Sequence, residues 1–563
     1  MQKSSCENII ASLVKHPVAV LAVLCFVCNI VTLAQQEYIN LLFVLAIFIL
    51  IFALCVYAIK VKFDARNIKK THKLLTYIVT AALFGILFVL FAKSEHKAVL
   101  IGIAGLVILT LIALRWYKIG VLTPKRITLL LFAAGFLLRL VYVLYTGCMT
   151  RQHDVEVFGE GQGHSGYIEY IYSNNKLPDF DVRSVWQFYH PPLHHIIAAV
   201  FLKLQVLCAV DYNMACESIQ ILTLFYSSLC MIISYRLMRE LGLTEKTTAL
   251  IFAVTAFHPT FIIFAGSINN DILSITLSLA SLLYTVRWYK NQTLKGMLKI
   301  ALCVGLGMMT KLSVWMVAPA IAAVFIYAFF KSERKRKILY YGKNYAAFGV
   351  VCVPLGLWWG IRNLLSFGVP LTYIPKISDA NPQYVGYIPV FRRLFDFSLN
   401  QVQNVFDKWG DPYYEYNPTI GLLKTAMFGE KINDADYPQI SFFGTVLFWL
   451  GTILAILAAA AIIMSFKRNF GIKQVPKILL LGTAFVTFIM YYSFCITYDF
   501  TCTQNIRYAT PQILIGSIYL GYMTDGVGEV RSRGLIILQR SLYLIIPLFC
   551  LFSALTYLMI GFG

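Results

Sequence analysis

The chain has 563 residues, of which 59% are hydrophobic and 13% charged. A soluble domain carries about 25% charged residues. Apolar runs of about 20 residues, the length a helix needs to cross a ~30 Å hydrocarbon slab, recur along most of this chain, so a soluble globular protein is excluded. Alternating strand patterns are not seen, so the spans read as helices rather than a β-barrel. The net charge of +21 does not point to nucleic acid, because the Lys and Arg sit in short loops between apolar runs. Most of the thirteen Cys lie in those runs and read as small core residues. Cys148 and Cys502 fall outside them and are the candidate disulfide pair. The first apolar run is followed by others and lacks a small-residue cleavage motif, so it reads as a span rather than a cleaved signal.

In chain order, the first spans are expected at about Val18 to Leu33 and Leu41 to Ile59. The basic stretch KVKFDARNIKKTHK follows and places the N-terminus in the cytoplasm. A hairpin at about Leu75 to Phe91 and Val99 to Leu114 returns to the basic loop RWYKIGVLTPKR. The span at about Ile127 to Tyr145 then delivers a polar stretch, Gln152 to His195, to the opposite side. The run Leu193 to Leu207 is apolar but short. If it crossed, RLMRELGLTEK, RWYKNQTLK and KSERKRK would all land on the wrong face, so it reads as interfacial or half-inserted. Spans follow at about Ile219 to Tyr235, Ala249 to Phe264, Ile272 to Trp288, Met297 to Met309, Ser313 to Phe330 and Ala346 to Leu364. A long outer segment, Ser366 to Gln439, contains DKWGDPYYEYNPT. Four last spans are expected at about Phe442 to Met464, Ile478 to Cys495, Tyr508 to Met523 and Leu535 to Met559. The expectation is an all-α polytopic membrane protein of about fifteen spans with its C-terminus outside. Residues 1–126 read as N-terminal accessory spans. Residues 127–563 read as the catalytic domain, with outer loops at 147–195 and 366–440. No internal repeat is visible.

The chemistry concentrates in QHDVEVFGEGQGHSGYIEYI and, further on, WQFYHPPLHHI. Asp154 follows His153, and Glu156 gives a DxE spacing; two such carboxylates can bind a divalent cation, or one can act as a general base that the other tunes. Asp154 is the leading candidate for the base. HSGYIEYIYSNNK reads as an amphipathic helix on the bilayer surface, with His164 at its start. His190 and His194 are four apart, a spacing that can bind zinc on a helix. Pro191 and Pro192 suit a first turn, and such His residues more commonly touch substrate or cap a helix. Arg139, late in its span, is either an interfacial anchor or an anion partner. Asp271, in the short turn Asn269-Asn270-Asp271, either closes the site or starts a helix. Lys311, Arg362 and Arg507 reach one membrane face from separate spans, which suits an anionic ligand such as a lipid phosphate; singly, each is equally an interfacial anchor.

The order of an acidic motif after an early span, a surface helix, PPL, NND, TKLS, WWGIRN with a following G-x-P, and a late RYATP resembles the GT-C glycosyltransferases. The branch it resembles holds the protein O-mannosyltransferases and the bacterial aminoarabinose lipid A transferase. The resemblance covers about Ile127 to Met559. It implies a GT-C-type helical bundle with outer-face juxtamembrane helices, and a donor that is a polyprenyl-phosphate sugar. It implies Asp154 as base with Glu156 or His153 assisting, and Arg507, Lys311 and Arg362 near the donor phosphate, with Tyr508 a candidate for substrate contact. His164, His190, His194 and Asp271 are further candidates for substrate contact. Many members carry adjacent acids where this chain has His153-Asp154, which leaves the second carboxylate and a divalent cation open. The implied reaction is inverting transfer to a lipid, glycan or protein hydroxyl on the outer face of a bacterial plasma membrane, or alternatively of the endoplasmic reticulum. A lipid or glycan flippase is the rival. It would place ionisable groups at mid-membrane and break helices in paired repeats.

Overall fold

The computed structural model describes residues 16–33, 77–79, 81–82, 85, 96–406, 415–467, 470–526 and 533–563. Among these, regular structure is helical, with one isolated bridge between Tyr384 and Phe500. The helices are α1 (Pro17–Leu33), α2 (Lys97–Lys118), α3 (Pro124–Tyr145), α4 (Gly163–Asn174), α5 (Leu193–Leu207), α6 (Tyr212–Glu217), α7 (Gln220–Glu240), α8 (Glu245–Phe257), α9 (Pro259–Gly266) and α10 (Asp271–Lys290). They continue as α11 (Leu294–Thr310), α12 (Ala318–Lys331), α13 (Lys337–Phe367), α14 (Val390–Phe395), α15 (Pro418–Phe428), α16 (Ser441–Lys467), α17 (Gln474–Thr497), α18 (Pro511–Gly526) and α19 (Arg533–Ile560).

The protein is a multi-pass integral membrane protein. Among the described residues nine helices are long and apolar enough to cross a bilayer, or ten if the bent pair α8 and α9 is one span. That is fewer than the expected fifteen, for two reasons. The runs 41–59 and most of 75–91 lie outside the described residues. In addition, α11 has 17 residues, short of a full ~30 Å span when upright, and α1 and α18 are described over only 17 and 16 residues.

Side-chain contacts sort the connections into two ends. At one end Lys125 pairs with Glu245 at 3.1 Å, and Arg287 and Lys290 pair with Glu240 at 2.8 and 2.7 Å. Thr244 and Thr247 bond Asp525 there, which brings the end of α18 to the same place. At the other end Gln220, opening α7, donates to the carbonyls of Thr146 and Gly266, which close α3 and α9. Because α3 ends and α7 begins at that second end, the intervening α5 enters and leaves on one side. Its 15 residues are too few to span, in line with the interfacial reading. The C-terminus also lies there: His96, which opens α2, bonds the Gly561 carbonyl.

One break in the bundle has a local cause. Proline at 259 has no N–H, so the Thr255 carbonyl four residues earlier loses its helical partner and the rod bends by 45°. His258 caps the restart by accepting from the Thr260 N–H. Arg139 satisfies what is left over. It donates to the carbonyls of Thr255 and Ala256 at 3.1 and 2.6 Å, and to Ser227 Oγ at 2.9 Å. Its exposure is 0%, so Arg139 is neither an interfacial anchor nor an anion partner but a buried clamp on the kink. The kink redirects α9 so that Gly266 ends beside the loop that carries Asp154.

Candidate active site

The loop after α3 is tightly turned. Arg151, Asp154 and Glu156 all have left-handed backbones, with φ of 55°, 57° and 60°; Asp is among the few residue types that tolerate this region. Val155 between them is buried and anchors the turn in a small apolar cluster. The start of α4 locks it: the otherwise orphan N–H groups of His164 and Ser165 donate to the carbonyls of Asp154 and Val155, each at 3.0 Å. Gly163 makes this close approach feasible. Its φ is +70°, and a Cβ there would lie 2.4 Å from the Val155 carbonyl oxygen.

Held this way, Asp154 sits in a chain of charged groups drawn from well-separated segments. His153 Nε2 lies 2.9 Å from Asp154 Oδ2, and Arg507 Nη1 donates to the same oxygen at 3.2 Å. Both contacts use Oδ2; among the described residues no ion pair is made by Oδ1. The other ring nitrogen of His153 contacts Glu430. Arg507 Nη2 donates to the Tyr508 hydroxyl at 2.7 Å. The Tyr508 ring takes both Arg507 and Lys311 against it, at 4.7 and 5.3 Å from its centroid. Lys311 in turn pairs with Asp271. Burial alone would raise the Asp154 carboxyl, but His153 and then Arg507 hold it well below the usual carboxylate range. Burial, only partly offset by Asp271, lowers Lys311.

Most of these groups, though not Glu430 or Asp271, line one end of a cavity of about 690 Å³. Asp154, His153, His190, Lys311, Arg507 and Tyr508 reach it, and the rest of its wall is largely aromatic and apolar, including Trp186, Trp315, Trp359 and Phe494. Other residues singled out in the sequence stand elsewhere. Glu156 is exposed, packs its stem against Gly163 and does not line the cavity. In an extended chain side chains two apart share a face; the left-handed turns at 154 and 156 break that relation, so the DxE pair does not converge. Among the described residues no group of three His, Cys, Asp or Glu is arranged to hold a metal ion, zinc included. Arg362 donates to the Pro178 carbonyl at 2.6 Å and stacks on Trp359 and Phe367, outside the cavity. His194 is buried with Nε2 on the Ile268 carbonyl at 2.8 Å.

His164 Nδ1 meets His195 Nε2 at 2.8 Å, and His164 stacks on His190 with ring centroids 5.4 Å apart. Burial first, and neighbouring charges after it, push His164 and His190 well below the ordinary imidazole value. The cluster is therefore a neutral packed wall, with His190 its cavity-facing member. Cys148 and Cys502 are both free.

Sequence reasoning missed Glu430. It follows Gly429, which ends α15 at φ 60°, ψ −147°, a conformation essentially confined to glycine. The glycine throws the next side chain back toward the bundle, where Asn505 donates to it. The one signal was an acid directly after a glycine that ends an apolar helix. Asn505 also accepts from the Arg507 N–H at 2.9 Å, so one side chain aligns both groups.

Residues 189–359 match the family model described as dolichyl-phosphate-mannose-protein mannosyltransferase. The matched segment contains Tyr189, His190, Lys311 and Trp359 of the cavity wall. The chain thus resembles the GT-C glycosyltransferases in the protein O-mannosyltransferase branch. No curated protein matches the chain. Among solved structures it is similar to the archaeal oligosaccharyltransferase AglB from Archaeoglobus fulgidus, in complex with an inhibitory peptide and a dolichol-phosphate, at 12% identity and a TM-score of 0.46. That alignment covers 76% of this chain and 55% of that one, so the chain spans about half the length of the archaeal protein. ArnT from Cupriavidus metallidurans in the apo state is similar at 15% identity and a TM-score of 0.34, over 71% of this chain and 77% of that one. The same protein bound to undecaprenyl phosphate is similar at 14% identity and a TM-score of 0.33, with the same coverage.

Proposed function

We propose that the chain is a membrane glycosyltransferase that moves a sugar from a polyprenyl-phosphate donor to an acceptor hydroxyl with inversion. The observation that carries this is a carboxylate and two cations gathered at one end of a largely apolar cavity. Asp154 has one oxygen held by His153 and Arg507 and the other available. The match to a mannosyltransferase family whose description names a dolichyl-phosphate donor supports the same reading.

Asp154 Oδ1 takes the acceptor's hydroxyl proton. The acceptor oxygen bonds to the anomeric carbon as that carbon's bond to the phosphate oxygen breaks, and the phosphate leaves with the electron pair. Arg507 and Lys311 balance the charge that develops on it. A phosphate leaves with less acid help than an alkoxide, so one base and two cations suffice. The aromatic and apolar walls suit the first isoprene units of the carrier. The site lies at the end opposite the Lys- and Arg-rich connections, which favours the extracytoplasmic face, and a bacterial plasma membrane is the proposed setting.

The test is to incubate the purified protein in nanodiscs with a panel of polyprenyl-phosphate sugars and with nucleotide sugars, reading release of the lipid phosphate. Release from at least one lipid-linked donor and none from nucleotide sugars is expected. Turnover of a nucleotide sugar alone, or lipid translocation without release, would overturn the proposal.

A further inference from the structure

His153 bridges two carboxylates that arrive from distant parts of the chain. Its Nε2 meets Asp154 at 2.9 Å and its Nδ1 meets Glu430. With a carboxylate at ion-pair distance from each nitrogen, the ring is best balanced as the imidazolium, which carries a proton on both. The pairing of charges therefore favours the imidazolium. Glu430 is only 3% exposed in its side chain and does not line the large cavity. It lines a separate small cavity of about 40 Å³ on the far side of His153, with Arg151, Asp271, Lys431 and Arg507. Its contacts with His153 and Asn505 are thus made within the protein wall and away from the space a substrate would fill.

We propose that Glu430 is a positioning residue for Asp154. Through the ring of His153 it fixes both the orientation and the charge of the group that keeps Asp154 ionised while Arg507 turns to the donor phosphate. The inference rests on the reading of Asp154 as the base. Its logic is a competition. Arg507 holds Asp154 at 3.2 Å, yet an arriving phosphate is an equally good partner for the same guanidinium. Without a second cation, a partly buried carboxylate deserted by Arg507 has nothing to balance its charge: near neutral pH it is drawn toward taking up a proton, and above the ring's own pKa it stays ionised but loses the partner that fixes its orientation. His153 supplies that cation, and Glu430 makes the cation stable.

The charged groups around His153 are Asp154 on its own loop, Glu430 after α15, Arg507 before α18 and, further off, Asp271 at the start of α10, with Arg151 and Lys431 sharing the small cavity. Burial and then Arg507 oppose protonation of the ring, but Asp154 and Glu430 outweigh them and raise His153 to about 9. Glu430→Gln keeps the shape and removes one supporting charge. The ring then loses its proton at lower pH, by about one to two units for a contact of this kind. Only the alkaline limb of the rate profile follows it down. The acid limb stays, because below that point the ring is still protonated.

The test is ring-nitrogen NMR of His153 in the full-length protein in nanodiscs, assigned by loss of its signal in His153→Gln, alongside rate against pH. In the wild type the ring is expected to titrate near 9. Glu430→Gln should lower the ring value and the alkaline limb together, and Glu430→Asp should restore most of both. A uniform loss of rate with ring and limb unmoved would assign Glu430 a merely structural role and overturn the inference. Should Glu430→Gln fail to accumulate, His153→Gln must abolish the alkaline limb; a limb that persists unchanged overturns the inference equally. If the ring value moves but no donor on the panel turns over, the transfer reading falls while the hold of Glu430 on His153 stands.

Discussion

Arg507 is held by acceptors on two nitrogens and by an aromatic face. Asp154 accepts from Nη1, the Tyr508 hydroxyl accepts from Nη2, and the Tyr508 ring lies against the guanidinium. The fork is thus already oriented for the proposed donor phosphate, and holding it there would cost little rotamer entropy. Arg507→Ala should raise the apparent donor KM by about tenfold or more, since one charge-assisted contact contributes roughly 1.5–3 kcal/mol. An unchanged donor titration would remove Arg507 from the phosphate site. At this scale the sequence exposes candidates well where a polar group interrupts an apolar run, as with Asp154, Lys311 and Arg507. It exposes them poorly where tertiary contact makes the partner. Glu430 sits in a long polar segment among other acids, and only the fold brings it 277 residues in sequence back to His153. Glu156 shows the converse: a suggestive spacing is undone by two left-handed backbones that no local pattern announces.

Among the helices, the α8–α9 kink shows how a buried charge can serve the backbone. Arg139 stood out in the sequence as an intramembrane cation, whereas Ala249 to Phe264 read as one span straight through Pro259. That one answers the other depended on α3 lying against the break, which the chain order alone does not specify. Arg139→Met keeps the length and apolar stem but leaves the Thr255 and Ala256 carbonyls and the Ser227 hydroxyl without their donor. A loss of about 3 kcal/mol is expected, in the range for removing one partner from a buried charged network, read as a lowered Tm of the solubilised protein. An unchanged Tm would contradict the clamp. The short α5 was legible because charge placement on three later loops constrained it. The expected run Met297 to Met309 likewise falls within three residues of α11 at each end; what the sequence left open is whether its 17 residues make a full span.

Across the whole molecule, the site exists only when the loop after α3, the turn before α10, the end of α11, the segment after α15 and the turn before α18 meet at one end. Positive-inside reasoning placed these segments on a common face because it needs only the charges of the loops, and the ion pairs at the opposite end gather the basic loops there. Asp154→Asn tests the central claim most directly, because Asn tolerates the same left-handed backbone and can still accept from His153 and Arg507, so the assembly persists while the base is lost. Measured with the donor that the wild type turns over, the variant should still bind polyprenyl phosphate but release it from the sugar at least about a hundredfold more slowly, the lower bound for removing a general base. Turnover at the wild-type rate would contradict the account.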